Sequence, residues 1–200
     1  MNDAPNVVLA STSAARRALL TAAGVAFDAV SPGVDEEAAK AAFAAEGLTA
    51  RDMADALAEL KAVRVSMRRP GLVIGADQTL DLDGAMLDKA PDLAAARARL
   101  TALRGQRHKL HSAVVVARDG QPIWREIVSA KLTMRPFSDA FLDDYMARAG
   151  EALTGSVGAY HLEGLGAQLF ERIEGDYFAI LGLPLTGLLD LLRRYGVLTI

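Results

Sequence analysis

Cysteine is absent from the 200-residue chain, which excludes disulfides and thiolate metal sites. A strong charge of either sign is also missing: 22 Lys and Arg against 25 Asp and Glu give a formal charge of −3. A broad nucleic-acid surface is normally strongly basic, so no nucleic acid polymer is expected as a partner. Any polyanionic ligand must instead meet a local basic cluster. No apolar run approaches the ~18 residues of a membrane span. The N-terminus lacks a basic segment followed by an apolar one. No membrane is therefore expected as a partner, and the expected compartment is the cytoplasm. What remains is 52% apolar and 24% charged, a globular balance with enough apolar surface for a core. A single domain over residues 1–200 is expected.

Several motifs are missing too. There is no P-loop of the form G-x-x-x-x-G-K-[ST]. Gly164-Leu165-Gly166 lacks the third glycine of a dinucleotide fingerprint, because Leu169 stands in its place. His108 and His111 lie three apart on a predicted strand and face opposite sides. His161 is isolated, and no Ser-His-Asp arrangement is legible. Kinase, P-loop NTPase and dehydrogenase readings are weakened accordingly.

Strand and helix patterns are mixed along the chain. Strands are predicted over Val7 to Ala10, Phe27 to Val30 and Leu72 to Ile74. Longer ones run over Lys109 to Ala117 and Pro122 to Met134, joined at Asp119-Gly120. Leu169 to Ile173 and Tyr177 to Leu181 also read as strands. Helices are predicted over Ala14 to Ala23, Glu36 to Ala45 and Pro184 to Arg194. Others follow the capping residues Thr49, Asp92 and Ser138. Asp83-Gly84 marks a hairpin turn. Gly155 to Gly166 reads as irregular. The pattern argues an α/β fold with a mixed sheet. If there are two lobes, the glycine-rich stretches near Gly71 and Gly155 are the expected crossings. The apolar face of the final helix is either core or a surface for a homodimer.

Two segments carry the candidate chemistry. In Ile74-Gly75-Ala76-Asp77-Gln78-Thr79 an apolar strand delivers a carboxylate at its exit, where α/β proteins keep ligands. Asp77 is thus a candidate general base or a turn former. In Leu9-Ala10-Ser11-Thr12-Ser13-Ala14-Ala15-Arg16-Arg17 a strand leads into hydroxyls at a helix N-terminus. Free N–H groups and the helix dipole there suit a phosphate, with Ser11, Ser13, Arg16 and Arg17 as contacts. The alternative is a capping serine beside solvated arginines. Lys61, Lys89 and Glu36, taken singly, are surface lysines and a first-turn acid.

The ordered set of segments resembles the Maf family of nucleotide pyrophosphatases across essentially the whole chain. It includes Leu9-Ala10-Ser11-Thr12-Ser13, Gly33-Val34-Asp35-Glu36, Leu57-Ala58-Glu59-Leu60-Lys61, Ile74-Gly75-Ala76-Asp77 and Asp88-Lys89. It continues through Glu163-Gly164-Leu165-Gly166 and Ile173-Glu174-Gly175-Asp176-Tyr177 to Gly182-Leu183-Pro184. The resemblance implies an elongated α/β fold, with a curved mixed sheet flanked by helices and two lobes around a cleft, often dimeric. It implies hydrolysis between the α and β phosphates of a nucleoside triphosphate, and a link to arrest of septum formation. Asp77 would be the proton acceptor. Glu36 and Asp77 would hold a divalent cation, Mg²⁺ or Mn²⁺, and Lys61, Lys89 and Arg16 would offset phosphate charge. In the family three positions tune the base pocket, and the resemblance places them here at Ala15, Gln78 and Glu163. The dTTP/UTP branch carries Arg, Thr and Gln there, and the 7-methyl-GTP branch carries Trp, Gln and Glu. Two of the three match the second branch, while Ala15 departs from both.

Overall fold

The computed structural model describes residues 4–199. Its first strand, β1 (Val7–Ala10), is buried throughout. It lies between two parallel neighbours, β2 (Asp28–Val30) and β3 (Leu72–Leu82), which is why it reads as an unbroken apolar run. The rest of the sheet is antiparallel. β3 pairs with β5 (Arg107–Arg118), β5 with β6 (Gln121–Met134), and β6 with β7 (Phe170–Glu174). The short β4 (Ala85–Leu87) folds back on the end of β3. The seven strands form one mixed sheet, ordered β2-β1-β3-β5-β6-β7 with β4 beside β3. Both hairpins turn on an Asp-Gly pair in the left-handed region, at φ 51° and 88° for Asp83-Gly84 and at 51° and 77° for Asp119-Gly120.

The helices are α1 (Ala14–Ala22), α2 (Glu36–Ala45), α3 (Ala50–Ser66), α4 (Leu93–Leu103), α5 (Asp139–Ala149), α6 (Tyr177–Ile180) and α7 (Leu185–Arg194). Side chains of Ser13, Asp35, Thr49, Asp92 and Ser138 each accept a hydrogen bond from an N–H three residues on, starting α1 to α5.

Two large apolar cores sit toward opposite ends of the long strands. One joins Leu9, Ile74, Val114 and Val116 to Leu20 of α1 and Leu188 and Leu192 of α7. The other joins Leu80, Leu110 and Leu132 to Leu100 of α4 and Leu142 of α5. β3 and β5 contribute to both, so the lobes are bridged by strands rather than at Gly71 and Gly155. The apolar face of α7 is core, with Leu185, Leu188, Leu191 and Leu192 buried in the first cluster.

α3 packs on the opposite face of the sheet, because Ala113, Val115 and Ala117 alternate along β5 with Val114 and Val116 of the first core. Ala54, Ala58 and Ala62 lie against Ala113, Val115 and Ala117. Small residues on both sides bring the backbones close. A Cβ at Gly75 would lie 2.2 Å from Ala58 O and 2.6 Å from Ala62 N. Gly75 is therefore required by close approach, not by an unusual φ.

Two expectations about elements change. Tyr177–Ile180 is a helical turn, not a strand: Asp176 accepts from Ala179 N at 2.7 Å and starts it. β3 does not stop at Ile74 but continues to Leu82, held extended by unbroken pairing with β5 from Val73 to Asp81.

Candidate active site

The longer β3 relocates the strand exit. One edge of β3 pairs with β1 as far as Gly75 and with β4 only from Leu80. Between those points, residues 76–79 have no strand on that side among the described residues. The strand that ends is β1, and Asp77 and Gln78 stand in the gap it leaves. This is a parting of strands in the sheet, the place where α/β folds accept ligands.

Pleating then sends the two residues to different faces. Gly75, Asp77 and Thr79 face α3; Thr79 Oγ1 donates to Ala50 O at 2.6 Å. Because Gly75 lets α3 approach so closely, the buried Lys61 reaches Asp77. Lys61 Nζ lies 2.7 Å from Asp77 Oδ1 and 2.9 Å from Glu36 Oε1. Lys61 and Asp77 are 4% and 7% exposed, so this contact is shielded from water. Burial alone would raise the Glu36 pKa. Lys61 first, then Lys40 and Lys89, outweigh it and leave the carboxyl below its ordinary value.

A cleft of ≈ 860 Å³ opens over this cluster. Its far wall is the start of α1. Ser13 Oγ accepts from Arg16 N, and Ser11 Oγ accepts from Ser13 N at 3.2 Å. The N–H groups of Ala14 and Ala15 have no partner among the described residues and lie at the positive end of the helix. Arg16 is pinned by its Nε donating to Gly182 O at 2.9 Å. Burial lowers the pKa of its guanidinium, while Asp77 and Glu36 pull the other way. Lys89 is lowered by burial and then by Arg16. Lys40 of α2 spans the cleft to Asp88, at 2.5 Å.

A smaller cavity of ≈ 100 Å³ adjoins the cleft and contains Ala15, Gln78 and Glu163 together. The Gln78 amide nitrogen donates toward Ser112 Oγ at 2.8 Å and toward Ala179 O and Ile180 O, both at 3.0 Å. Its carbonyl oxygen is the atom left for a ligand.

The structure thus gathers Ser11, Ser13, Arg16, Glu36, Lys61, Asp77 and Lys89 around the cleft, and it places Ala15, Gln78 and Glu163, the positions to which the resemblance assigns base choice, in its annexe. Arg17 is not among the residues lining either and is exposed. The charged or ionisable lining residues that sequence reasoning missed include Glu37, Lys40, Asp88 and His161. Lys40 is four residues after Glu36 on one helix, a spacing that could have revealed it. Asp88 and His161 join the site only through tertiary structure. Elsewhere, Asp81, His111 and Ser129 form an unforeseen polar chain across the sheet. His111 Nδ1 is 2.7 Å from Ser129 Oγ, but its Nε2 is 3.6 Å from Asp81 Oδ2, too long for a strong hydrogen bond. None of the three lines the cleft.

Comparison with known proteins matches this geometry to a family. The profile described as Maf-like protein matches residues 6–195. The chain belongs to the Maf family. Among its relatives, a nucleoside triphosphate pyrophosphatase of Caulobacter vibrioides is 69% identical over 97% of this chain and 98% of its own length. One of the same description from Hyphomonas neptunium is 56% identical over 96% of this chain and 97% of its own. A 7-methyl-GTP pyrophosphatase of Rhizobium meliloti is 47% identical over 97% and 98%. This Maf chain has a seven-stranded mixed sheet flanked by helices, as the resemblance implied. Among its described residues no helix is long and apolar enough to cross a membrane.

The donor set of the Maf cleft bears on a divalent cation. Arg16, Lys40, Lys61 and Lys89 are balanced there by Glu36, Glu37, Asp77 and Asp88. A near-neutral wall leaves the charge of a triphosphate uncompensated. No group of three or more metal-ligating side chains occurs among the described residues. Two carboxylates together with phosphate oxygens and water are what Mg²⁺ ordinarily takes, so Glu36 and Asp77 fit such an ion.

Proposed function

We propose that the chain hydrolyses the α–β anhydride of nucleoside triphosphates, releasing a nucleoside monophosphate and pyrophosphate. The observation that carries this reading is the buried Lys61 held between Asp77 and Glu36 at the gap in the β3 edge. The described names of the relatives agree with it.

In this reading the triphosphate lies along the cleft, with its phosphates toward Arg16, Lys89 and the open N–H groups of α1. Asp77 takes the proton from the attacking water. Its Oδ1 is held by Lys61, and its Oδ2, which has no partner among the described residues, is the accepting atom. Water oxygen bonds to phosphorus as the bridging P–O bond breaks, and pyrophosphate leaves with the electron pair. Lys61 holds the base in place and, with Lys89 and Arg16, offsets the charge that develops. A divalent cation held by Glu36 and Asp77 would supply further neutralisation of the phosphates.

The base sits in the annexe with Gln78 and Glu163. These offer acceptor atoms and so favour a base edge rich in donors, such as guanine. The rings available there belong to Tyr160 and His161. Tyr160 is buried, edge-on to Phe170 with its hydroxyl 2.7 Å from His108 Nε2, and Ala15 offers no ring. With no ring free at Ala15 to stack on a cationic base, the reading is a broader triphosphate pyrophosphatase rather than a strict 7-methyl-GTP one.

The test is pyrophosphate release from a panel of GTP, 7-methyl-GTP, dTTP, UTP and CTP with Mg²⁺ or Mn²⁺, beside Asp77→Asn. Release that disappears in the folded variant supports the reading. A near-normal rate in Asp77→Asn removes Asp77 as base. No release from any nucleotide by folded wild-type protein would leave a nucleotide-binding role, such as a regulator of septum formation.

A further inference from the structure

Lys40 and Asp88 meet across the cleft, with Nζ 2.5 Å from Oδ1. The two sides of this pair are unequally held. Arg99 of α4 donates to the carbonyl oxygens of both Asp88 and Val157, which fixes the Asp88 backbone to the wall shared by cleft and annexe. α2 has no buried residue, so the Lys40 side chain can turn without disturbing a core. The side chains of Lys40 and Asp88 are 26% and 58% exposed. A pair so open to water adds little stability, and its partners can be exchanged. Lys61 is the contrast: buried between Asp77 and Glu36, it is committed to them.

The place of Lys40 in the cleft decides what can exchange with Asp88. α2 presents Glu36, Lys40 and Ala44 to the cleft at one-turn intervals. Lys40 therefore stands about 6 Å along the helix from Glu36. No residue of α2 lines the annexe, whereas Arg16 and Lys89 line both spaces. With the base in the annexe and the scissile anhydride beside Asp77, the phosphate chain runs from Arg16 and Lys89 toward α2. The phosphate farthest from the base then arrives at Lys40. That phosphate carries about two negative charges at neutral pH, against one on a carboxylate, and so draws the ammonium away from Asp88.

We propose that Lys40 binds the terminal phosphate of the substrate, giving up Asp88 to do so, and that it holds the pyrophosphate half of the product. The proposal rests on the pyrophosphatase reading above and adds to it a residue that selects for the length of the phosphate chain. Asp88 aims the ammonium across the cleft and, being largely exposed, turns to water when the phosphate replaces it. The nucleoside half of the substrate lies on the annexe side, out of reach of α2, so Lys40 acts on one product and not on the other.

The experiment uses the triphosphate of the panel above that is turned over fastest, supplied with a labelled base, at fixed free Mg²⁺. Its two products, pyrophosphate and the nucleoside monophosphate, are each added as inhibitors to wild type and to Lys40→Met. In the variant kcat/KM is expected to fall about tenfold and the inhibition constant of pyrophosphate to rise about tenfold, the scale of one hydrogen bond to a charged group, while that of the monophosphate stays within about twofold. Damage to the fold or to the metal site would weaken both products. Asp88→Asn removes the internal partner and keeps the lysine, so pyrophosphate should inhibit it at least as well as wild type. An unchanged pyrophosphate constant in Lys40→Met, or an equal rise for both products, overturns the proposal. So does an Asp88→Asn that binds pyrophosphate as weakly as Lys40→Met, because the site would then need the ion pair and not the lysine. Hydrolysis of no nucleotide by folded wild type removes the pyrophosphatase reading, and this inference with it; hydrolysis that Lys40→Met leaves untouched removes this inference alone.

Discussion

Lys61 Nζ lies 2.7 Å from Asp77 Oδ1, joining α3 to β3 where both backbones are buried. The lysine is the common partner of two carboxylates, and only the Glu36 side of the trio is substantially open to solvent. Replacing Lys61 with Met leaves the Asp77 carboxylate buried without its counter-charge. Stability should fall by about 3 kcal/mol, the usual scale for removing one member of a buried pair, with little of it from the exposed Glu36 contact. Turnover should fall at least about a hundredfold as the base loses its holder. Urea denaturation and a pyrophosphate assay check both. A midpoint unchanged from wild type would show that Asp77 does not depend on Lys61.

Gly75 is the precondition for that contact. The Cβ of Gly75→Ala would meet the backbone of α3 at Ala58 and Ala62, atoms that cannot rotate aside. The helix must move outward, carrying Lys61 from Asp77. A loss of about 2–3 kcal/mol is expected, together with reduced activity. Gly24→Ala serves as a control: its Cβ meets nothing within 4 Å, although its φ of +72° carries a smaller strain of its own. Equal thermal midpoints for the two variants would rule out the packing argument.

Gln78 ties the sheet to α6 through three acceptors around one amide nitrogen. Gln78→Glu would turn a carboxylate toward two carbonyl oxygens. The expected destabilisation is about 2 kcal/mol, seen as a fall of roughly 4–8 °C in the thermal midpoint. Arg16 would also suffer, because its anchor Gly182 follows directly on α6. A midpoint within about 1 °C of wild type would show that the amide orientation is not structural.

Local chemistry made much of this fold readable. Ser13, Thr49, Asp92 and Ser138 announced helix starts, and the two Asp-Gly pairs announced hairpins, because caps and turns are decided by a few adjacent residues. β3 was cut short because Asp77, Gln78 and Thr79 interrupt its apolar run, and the pairing that keeps it extended comes from β5, more than thirty residues away. Tyr177 and Phe178 suggested a strand by composition, but the Asp176 cap took precedence. The site residues in the family motifs were accessible through the resemblance. The pairings Lys61–Asp77 and Lys40–Asp88 and the facing of His161 toward Glu163 required the tertiary structure.

His108 offers a test that is independent of catalysis. It is 1% exposed, with Nε2 2.7 Å from Tyr160 Oη and Nδ1 buried without a partner among the described residues. Burial pushes its pKa from 6.5 down to about 4. The folded state therefore resists the proton that the unfolded state accepts. Above the unfolded value of 6.5 both states are neutral, and stability is undiminished. As pH falls from 6.5 toward about 4 the unfolded state gains its proton first, and stability declines by up to about 3 kcal/mol. Below the folded value both states are charged and this contribution levels off. Carboxylates titrate in the lower part of the same window, so the quantity to follow is the stability difference between wild type and His108→Phe at each pH. The variant loses the Tyr160 hydrogen bond at every pH, which shifts the difference by a constant. Only the histidine proton makes it vary. The wild-type advantage should shrink as pH is lowered from 7 to 5; a constant difference across that range would mean that His108 takes up its proton as readily folded as unfolded.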